Sequence, residues 1–515
     1  MQPNFVFIIA DQLRADHVGF GGNATIKTPH LDGLAERAMR FDKAYVANPI
    51  CMPNRATILT GRMPSVHGTR FNGIALDLGA HTFVREMANN GYRTALVGKA
   101  HYQNIGDGPT GLVERMFETP GDALTDTHPA GWDEFELHER HTAAFVEMPR
   151  DYYGFQHVDL VTHHGDLCSG HYHHWAKEQG FDLTSLHGPE KAKQRFAGWQ
   201  QVYQTAIPEE VYPTRYVAER AKDYLRQAAK TDAPFFLQVS FPDPHHPFTP
   251  PGRYFEMYDP SDIQLPDTFD DPHTNSMPHY QFMHSRRGKA PKMWVAAFAP
   301  NESQFRHAAA AEYGMISFID DAIGEILSTL QDQDLLDNTI VVFTSDHGDM
   351  FGDHGIILKA AMHYEGCIRI PLLIAEPNAA GGQTSRLVSS LDLAQTLLDL
   401  AGIPEYHGLQ GSSLRPLLKD SDVIIHDHLV IEEDEMFDML FIGKPFRART
   451  LVTEEARLSL YQYIEQGELF DLANDPEEMT NLFATRQGLR TELTAALARE
   501  LMNLADTSPK PTRMA

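Results

Sequence analysis

Phe5-Val6-Phe7-Ile8-Ile9-Ala10, followed at once by Asp11-Gln12, is the stretch that decides the fold. An unbroken apolar run of strand length has no polar face to offer water, so it belongs in a parallel sheet covered on both sides. Two later runs are of the same kind. Phe235 to Phe241 breaks off into Pro242-Asp243-Pro244-His245-His246-Pro247-Phe248, and Asn338 to Ser345 breaks off into Asp346-His347-Gly348-Asp349. Gly91 to Val97 reads as a strand that closes on Gly98-Lys99-Ala100-His101, and Ile370 to Ile374 as a further one. Helical patterns lie between them, over Thr28–Arg37, Thr82–Asn90 and Tyr313–Leu330. Strands alternating with helices predict an α/β fold with a large mixed, mostly parallel sheet. Each strand runs out into polar residues at its C-terminal end, where open α/β sheets place their sites.

Working outward, residues 102 to 230 are rich in His and Tyr and poorly periodic, and read as loops over the active site. Their run His163-His164, His171, His173-His174 matches no zinc-ligand spacing. Residues 251 to 300 read as a long insertion. After Leu398 the texture changes. Short alternating strands are expected near 428–432, 438–442, 446–452 and 457–463, then Glu468–Leu472 and a last helix at 485–504. The division expected is a catalytic α/β domain over 1–420 and a smaller antiparallel sheet with a helix over 421–515.

A chain of 515 residues with 42% hydrophobic and 22% charged residues can bury a large core. A net charge of −27 argues against nucleic acid or an anionic membrane as partner, so any anionic substrate must be drawn in by a local cation cluster. Three cysteines exclude a disulfide framework and suit a reducing compartment. The start lacks a basic leader and no span of 18 apolar residues occurs, so the expected location is cytoplasmic. The 27 histidines direct attention to a site.

That site is expected around Pro49-Ile50-Cys51-Met52-Pro53-Asn54-Arg55-Ala56-Thr57-Ile58-Leu59-Thr60-Gly61-Arg62. Pro53 suits a first helical turn and Gly61 a stop, which gives a short helix from about Pro53 to Thr60. Cys51 then lies at the positive helix end, where a thiol pKa falls, and Arg55 lies one turn on along the same face. A cysteine, a helix start and an arginine make an anion site with a candidate nucleophile. Adjacent strand ends would bring Asp11-Gln12, Lys99/His101 and Asp346-His347 up to it. Oxygen donors such as Asp11, Gln12 and Asp346 suit a hard cation, Ca²⁺, Mg²⁺ or Mn²⁺, and His347 tilts the set toward Mn²⁺.

The Cys-x-Pro-x-Arg stretch running on to Thr60-Gly61, with Gly98-Lys99-Ala100-His101, resembles the two signatures of the type I sulfatases in the alkaline phosphatase superfamily. The likeness extends from Asp11 to Asp471-Leu472. It departs from the usual pattern at Met52, at Asn54 and at Gln12, where relatives carry Asp. The resemblance implies that Cys51 becomes 3-oxoalanine (formylglycine), through a formylglycine-generating enzyme, and that its hydrate is the nucleophile. It implies one divalent cation, Ca²⁺ or Mn²⁺, on Asp11, Gln12, residue 51, Asp346 and His347. Arg55 would hold nucleophile and oxyanion. Lys99 and His101 would assist sulfate binding, with His101 the base that frees the aldehyde. His245, preferred to His246 by the pattern Pro-His-x-Pro-Phe, and Lys359 would serve the leaving group. Asn72 resembles an Asn of phosphonate monoester hydrolases.

The reaction implied is hydrolysis of a small anionic ester, an aryl or alkyl sulfate. The alternative is a phosphonate monoester or phosphodiester. Such relatives commonly lack the residue types of Lys99 and His101, which favours sulfate, though promiscuity between the two is expected. A binding protein with a lapsed site is the third reading, and it is disfavoured because no catalytic position is missing. A homodimer or higher homo-oligomer is expected.

Overall fold

In the computed structural model, which describes residues 2–106, 127–291 and 296–513, all seven residues of Asn4–Ala10 are buried. This strand (β1) lies at the heart of a nine-stranded sheet. The others in chain order are Met39–Phe41 (β2), Arg93–Lys99 (β3), His157–Thr162 (β4), Ser169–Gly170 (β5), Phe235–Phe241 (β6), Thr339–Ser345 (β7), Leu372–Ala375 (β8) and Gly382–Thr384 (β9). They hydrogen-bond in the order β9-β2-β8-β7-β1-β6-β3-β4-β5. β7, β1, β6, β3 and β4 are mutually parallel, and β8 joins the sheet antiparallel to β7. The fold is therefore the mostly parallel α/β sheet expected.

Helices cover the sheet and account for the absence of a polar strand face. Pro29–Ala35 (α1) and Pro213–Ala228 (α4) pack on the long helix Glu302–Asp332 (α5), and α4 also packs on β6. Cys51–Thr60 (α2) and Phe83–Asn89 (α3) form a second group with Leu393–Ala401 (α6). α5 begins eleven residues before the expected Tyr313. Asn301 and Gln304 form a capping box there, and a run of alanines carries the helix on. α4 corrects the reading of 102–230 as loops alone, for Tyr216, Val217, Ala221, Leu225 and Ala228 carry a buried helical face. His171, His173 and His174 likewise stand on a helix, His171–Glu178. Within the two long segments read as loops, residues 107–126 and 292–295 lie outside the described residues.

The small sheet is antiparallel, with strands Leu429–Glu435 (β10), Phe446–Val452 (β11), Ala456–Tyr461 (β12) and Gly467–Asp471 (β13) in sequence order. Gln487–Asn503 (α7) packs on it. The strand expected at 438–442 does not form. Asp438 instead accepts the N–H groups of Ile442 and Gly443 and curls the segment into a turn. Leu429, Ile431, Phe446 and Ala448 join the core of the nine-stranded sheet, while Val430 and Leu451 face α7 and its neighbours. Among the described residues no helix is long and apolar enough to cross a membrane.

Gly98, next to Lys99, permits the close approach of β3 to β6. Its φ is +109°, and a Cβ there would stand 1.9 Å from the carbonyl oxygen of Ser240. Gly98→Ala is predicted to destabilise the chain by about 3 kcal/mol or more, read as a lower urea midpoint at unchanged slope. A midpoint equal to the parent's would contradict this account of the strand pair.

Candidate active site

The polar ends of β7, β1, β6 and β3 lie side by side because their strands do. Backbone bonds lock them: Asp346 N–H donates to the Ala10 carbonyl (3.2 Å) and Asp11 N–H to the Asp243 carbonyl (3.1 Å). α2 points its first residue, Cys51, at this row. The helix starts two residues before the expected Pro53, with extended Ile50 as N-cap, and ends at Gly61 in the left-handed conformation. All ten of its residues are buried. Asn54, a departure from the usual signature, fixes the helix in place: its Nδ2 donates to the Asp346 carbonyl (2.5 Å) and its Oδ1 accepts from Ser390 Oγ (2.7 Å).

Arg55 is the centre of the arrangement. Its Nε donates to Asp346 Oδ2 (2.7 Å), and its Nη1 donates to the Lys99 carbonyl (3.2 Å) and Ser240 Oγ (2.9 Å). Nη2 lies 3.6 Å from Asp11 Oδ2, buried and without a hydrogen-bond partner. The Cys51 sulfur sits 3.0 Å from His347 Nε2, 3.5 Å from Lys359 Nζ and 3.8 Å from Asp11 Oδ1. The thiol pKa does not fall as the helix start led us to expect. Burial and the Asp11 carboxylate push it up to about 11, and the two lysines offset only part of this.

The donors fit a divalent cation. Ligand atoms of Asp11, Cys51, Asp346 and His347 all lie within 4.8 Å of one another, and all four residues are buried. Lys99, Arg55, His347 and Lys359 overcome desolvation and hold the Asp11 carboxyl well below its ordinary range. His347 Nδ1 donates to the Gly348 carbonyl (2.8 Å), which leaves the Nε2 lone pair facing the carboxylates, and burial lowers its pKa to about 4. Such a neutral imidazole is the form that ligates metals. Gln12 is placed differently. Its Oε1 accepts from Lys359 Nζ (2.8 Å), and its Nε2 donates to Asp349 Oδ2 (2.8 Å) and faces His246 Nδ1 (3.2 Å). Its oxygen is turned to Lys359, and it stands apart from the four-residue cluster.

Three stacked histidines, His164, His245 and His246, flank the cluster. His245 Nδ1 donates to the His246 carbonyl (2.6 Å), which leaves Nε2 free, and its ring stacks on His164 (3.7 Å) and His246 (4.1 Å). Burial, His164 and His246 hold its pKa well below the ordinary value, so the imidazole is neutral before an anion enters. Asn72 is exposed, and its Oδ1 accepts from the Met52 N–H at the start of α2 (3.1 Å). His101 is buried with φ +57° and an unpartnered Nδ1.

Two residues join the site unforeseen. His164, just beyond the end of β4, brings Nε2 to 2.6 Å from Lys99 Nζ, while Lys99 also contacts Asp11. It is the fifth strand end in the row; the signal was its place after an apolar strand, hidden by four neighbouring histidines. Glu136 accepts the N–H groups of His101 (2.6 Å), Tyr102 (2.9 Å) and Gln103 (3.0 Å) and the Tyr152 hydroxyl (2.6 Å). Nothing in sequence links it to His101. His171 and His174 instead satisfy backbone carbonyls, of Val146 and His141.

Arg55 and Lys99 thus pair with Asp11 and Asp346, and Lys359 stands beside the Cys51 sulfur, three buried cations in a chain of net −27. Comparison with known proteins agrees with this chemistry. An arylsulfatase of Clostridium perfringens is 28% identical over 497 residues, 95% of this chain and 91% of that protein. A choline-sulfatase of Rhizobium meliloti is 27% identical over 510 residues, 97% and 82% of the respective chains. The crystal structure of a phosphonate monoester hydrolase of Agrobacterium radiobacter superposes with a TM-score of 0.76 at 24% identity, covering 98% of this chain and 96% of that one. The family model for the N-sulphoglucosamine sulphohydrolase C-terminal region matches residues 352–507. The sulfatase family model matches residues 3–403, and the chain belongs to the sulfatase family.

Proposed function

We propose that the chain hydrolyses sulfate monoesters, aryl or small alkyl, at the site around residue 51. The observation that carries this is the sulfur of Cys51 set at a helix start among a carboxylate, an imidazole and an ammonium, with Arg55 Nη2 unpaired beside it. Asp11, Gln12, Asp346, His347 and residue 51 would hold one divalent cation, Ca²⁺ or Mn²⁺. When bound it supplies charge to the ester oxygens. Cys51 matches the position that the family converts to formylglycine, whose hydrate supplies an oxygen nucleophile; a formylglycine-generating enzyme is then a partner in maturation.

The chain's own groups divide the remaining work. Arg55 Nη2, Lys99 Nζ and Lys359 Nζ bind the anionic oxygens and orient them for in-line attack; these donors are already fixed, so little reorganisation is needed. Asn72 borders the substrate at the start of α2. His245 Nε2 faces the leaving oxygen. The negative charge of a bound ester raises the proton affinity of that imidazole, which then hands its proton to the departing alkoxide. His246 is tied to Gln12 and is the poorer candidate. His101, held by Glu136, takes the proton released as residue 51 is regenerated.

A phosphonate monoester or phosphodiester is the second reading. The backbone likeness to a phosphonate monoester hydrolase favours it, as does Asn72 at the helix start. Kinetics on a sulfate and a phosphonate monoester with one common phenol separate the two. The proposal expects the larger kcat/KM for the sulfate, and a clear reversal would replace it by the second reading. His245→Ala is predicted to slow alkyl and weakly activated aryl sulfates by about 10²-fold while nitrophenyl sulfate changes little. Equal losses for good and poor leaving groups would reduce His245 to a binding or packing residue.

A further inference from the structure

Lys359 stands on a turn whose backbone L residues do not favour. Leu358 (φ +72°), Ala360 (φ +139°) and Ala361 (φ +54°) all have positive φ, and none of them is glycine. Residues held there cost free energy that the surroundings must offset, and such strain collects at functional positions. The turn is pinned on both sides of the lysine. Before it, the Leu358 N–H donates to Asp349 Oδ1 (2.9 Å), and the Leu358 carbonyl accepts the Met350 N–H (3.1 Å). After it, the Ala361 N–H donates to Glu433 Oε1 (2.9 Å), and the Ala361 carbonyl accepts from His279 Nε2 (3.1 Å).

The two carboxylates come from different sheets. Asp349 lies just beyond β7, and its other oxygen accepts from Gln12 Nε2. Glu433 stands on β10 of the small sheet, 72 positions from Ala361, and is 1% exposed. Its Oε2 accepts from His363 Nε2 (2.8 Å), and His363 Nδ1 meets the Thr450 hydroxyl on β11 (2.7 Å). Both oxygens of Glu433 are thus spent on residues 361 and 363. A carboxylate is costly to bury, and charge-assisted bonds of this kind make it tolerable. An apolar side chain would pack β10 without that cost but could not hold the Ala361 N–H. At the other end of the lysine, Nζ lies 2.8 Å from Gln12 Oε1, 2.8 Å from His347 Nε2 and 3.5 Å from the Cys51 sulfur. The four-carbon stem between is flexible, so the aim of the ammonium depends on where the main chain holds its root.

We propose that Glu433 is a positioning residue of the active site: through the Ala361 N–H it holds the strained turn that aims Lys359 at the ester. This rests on the ester-hydrolase reading above, in which Lys359 binds an anionic oxygen. The small sheet then takes part in the reaction without touching the substrate. Without the Glu433 carboxylate the Ala361 N–H is buried and unpaired, and the turn relaxes toward negative φ, carrying the root of Lys359 with it.

A double-mutant cycle tests this with kcat/KM for nitrophenyl sulfate. The four proteins are the parent, Glu433→Ala, Lys359→Ala and the double variant, each with its fold verified by circular dichroism. Lys359→Ala is expected to lose about 10²-fold and Glu433→Ala at least about tenfold. In the Lys359→Ala background the glutamate substitution is expected to cost less than about twofold, because the group it aims is gone. Equal losses in the two backgrounds overturn the proposal and leave Glu433 a packing residue. A Lys359→Ala protein as active as the parent overturns it as well, since there is then nothing to aim. Should Glu433→Ala fail to fold, hydrogen exchange of the parent decides. The amides of residues 360–363 must exchange at least about 10³-fold more slowly than in an unfolded peptide, and faster exchange overturns the proposal. If the parent cleaves a nitrophenyl phosphonate but no sulfate, the sulfate reading fails. The same cycle on the phosphonate then tests Glu433 with the same outcomes.

Discussion

One buried guanidinium holds the active region in register. Arg55, 2% exposed, bonds to the residues ending β7, β3 and β6 and approaches Asp11 after β1. A lone cation in such a place would be prohibitive, and its partners make it tolerable: removing one side of a buried, hydrogen-bonded pair typically costs about 3–5 kcal/mol. Asp346 and Asp11 raise the guanidinium's proton affinity against its burial, and Arg55 with the lysines keeps the Asp11 carboxylate charged. Each sign is buried because the other is there.

This constraint explains why the site is stiff and why one guanidinium nitrogen, with both its N–H donors, is unspent. Arg55 has five N–H donors in a planar fork, and the strand ends take those of Nε and Nη1, leaving Nη2 in the space beside the sulfur. The raised thiol pKa belongs to the same frame. At a helix start the dipole favours a thiolate, yet full burial beside Asp11 outweighs a half-charge at the helix end. With no cation bound, Cys51 therefore stays a thiol at neutral pH.

Much of this was legible in the residue order. Unbroken apolar runs announced the central strands, and the polar residues after them announced the site, because a parallel sheet must align its C-terminal ends. What escaped depended on contacts between distant segments. Glu136 reaches His101 across 35 positions, and Asp438 forms a turn where alternation alone suggested a strand. His164 was obscured by a crowd of histidines whose other members satisfy backbone groups. Gln12 looked like a simple oxygen donor, but its amide is shared among Lys359, Asp349 and His246, a balance set by tertiary packing. The long helix was shortened in the reading because an N-terminal capping box outside the apolar pattern extends it.

Strand ends gathered by Arg55 are proposed to form a cation site beside residue 51, and metal analysis of the purified protein tests this most directly. The parent should carry one tightly held divalent ion per chain by elemental mass spectrometry, and Asp346→Ala, with its fold verified by circular dichroism, should carry none. Stoichiometric metal retained in a folded Asp346→Ala protein would contradict the account.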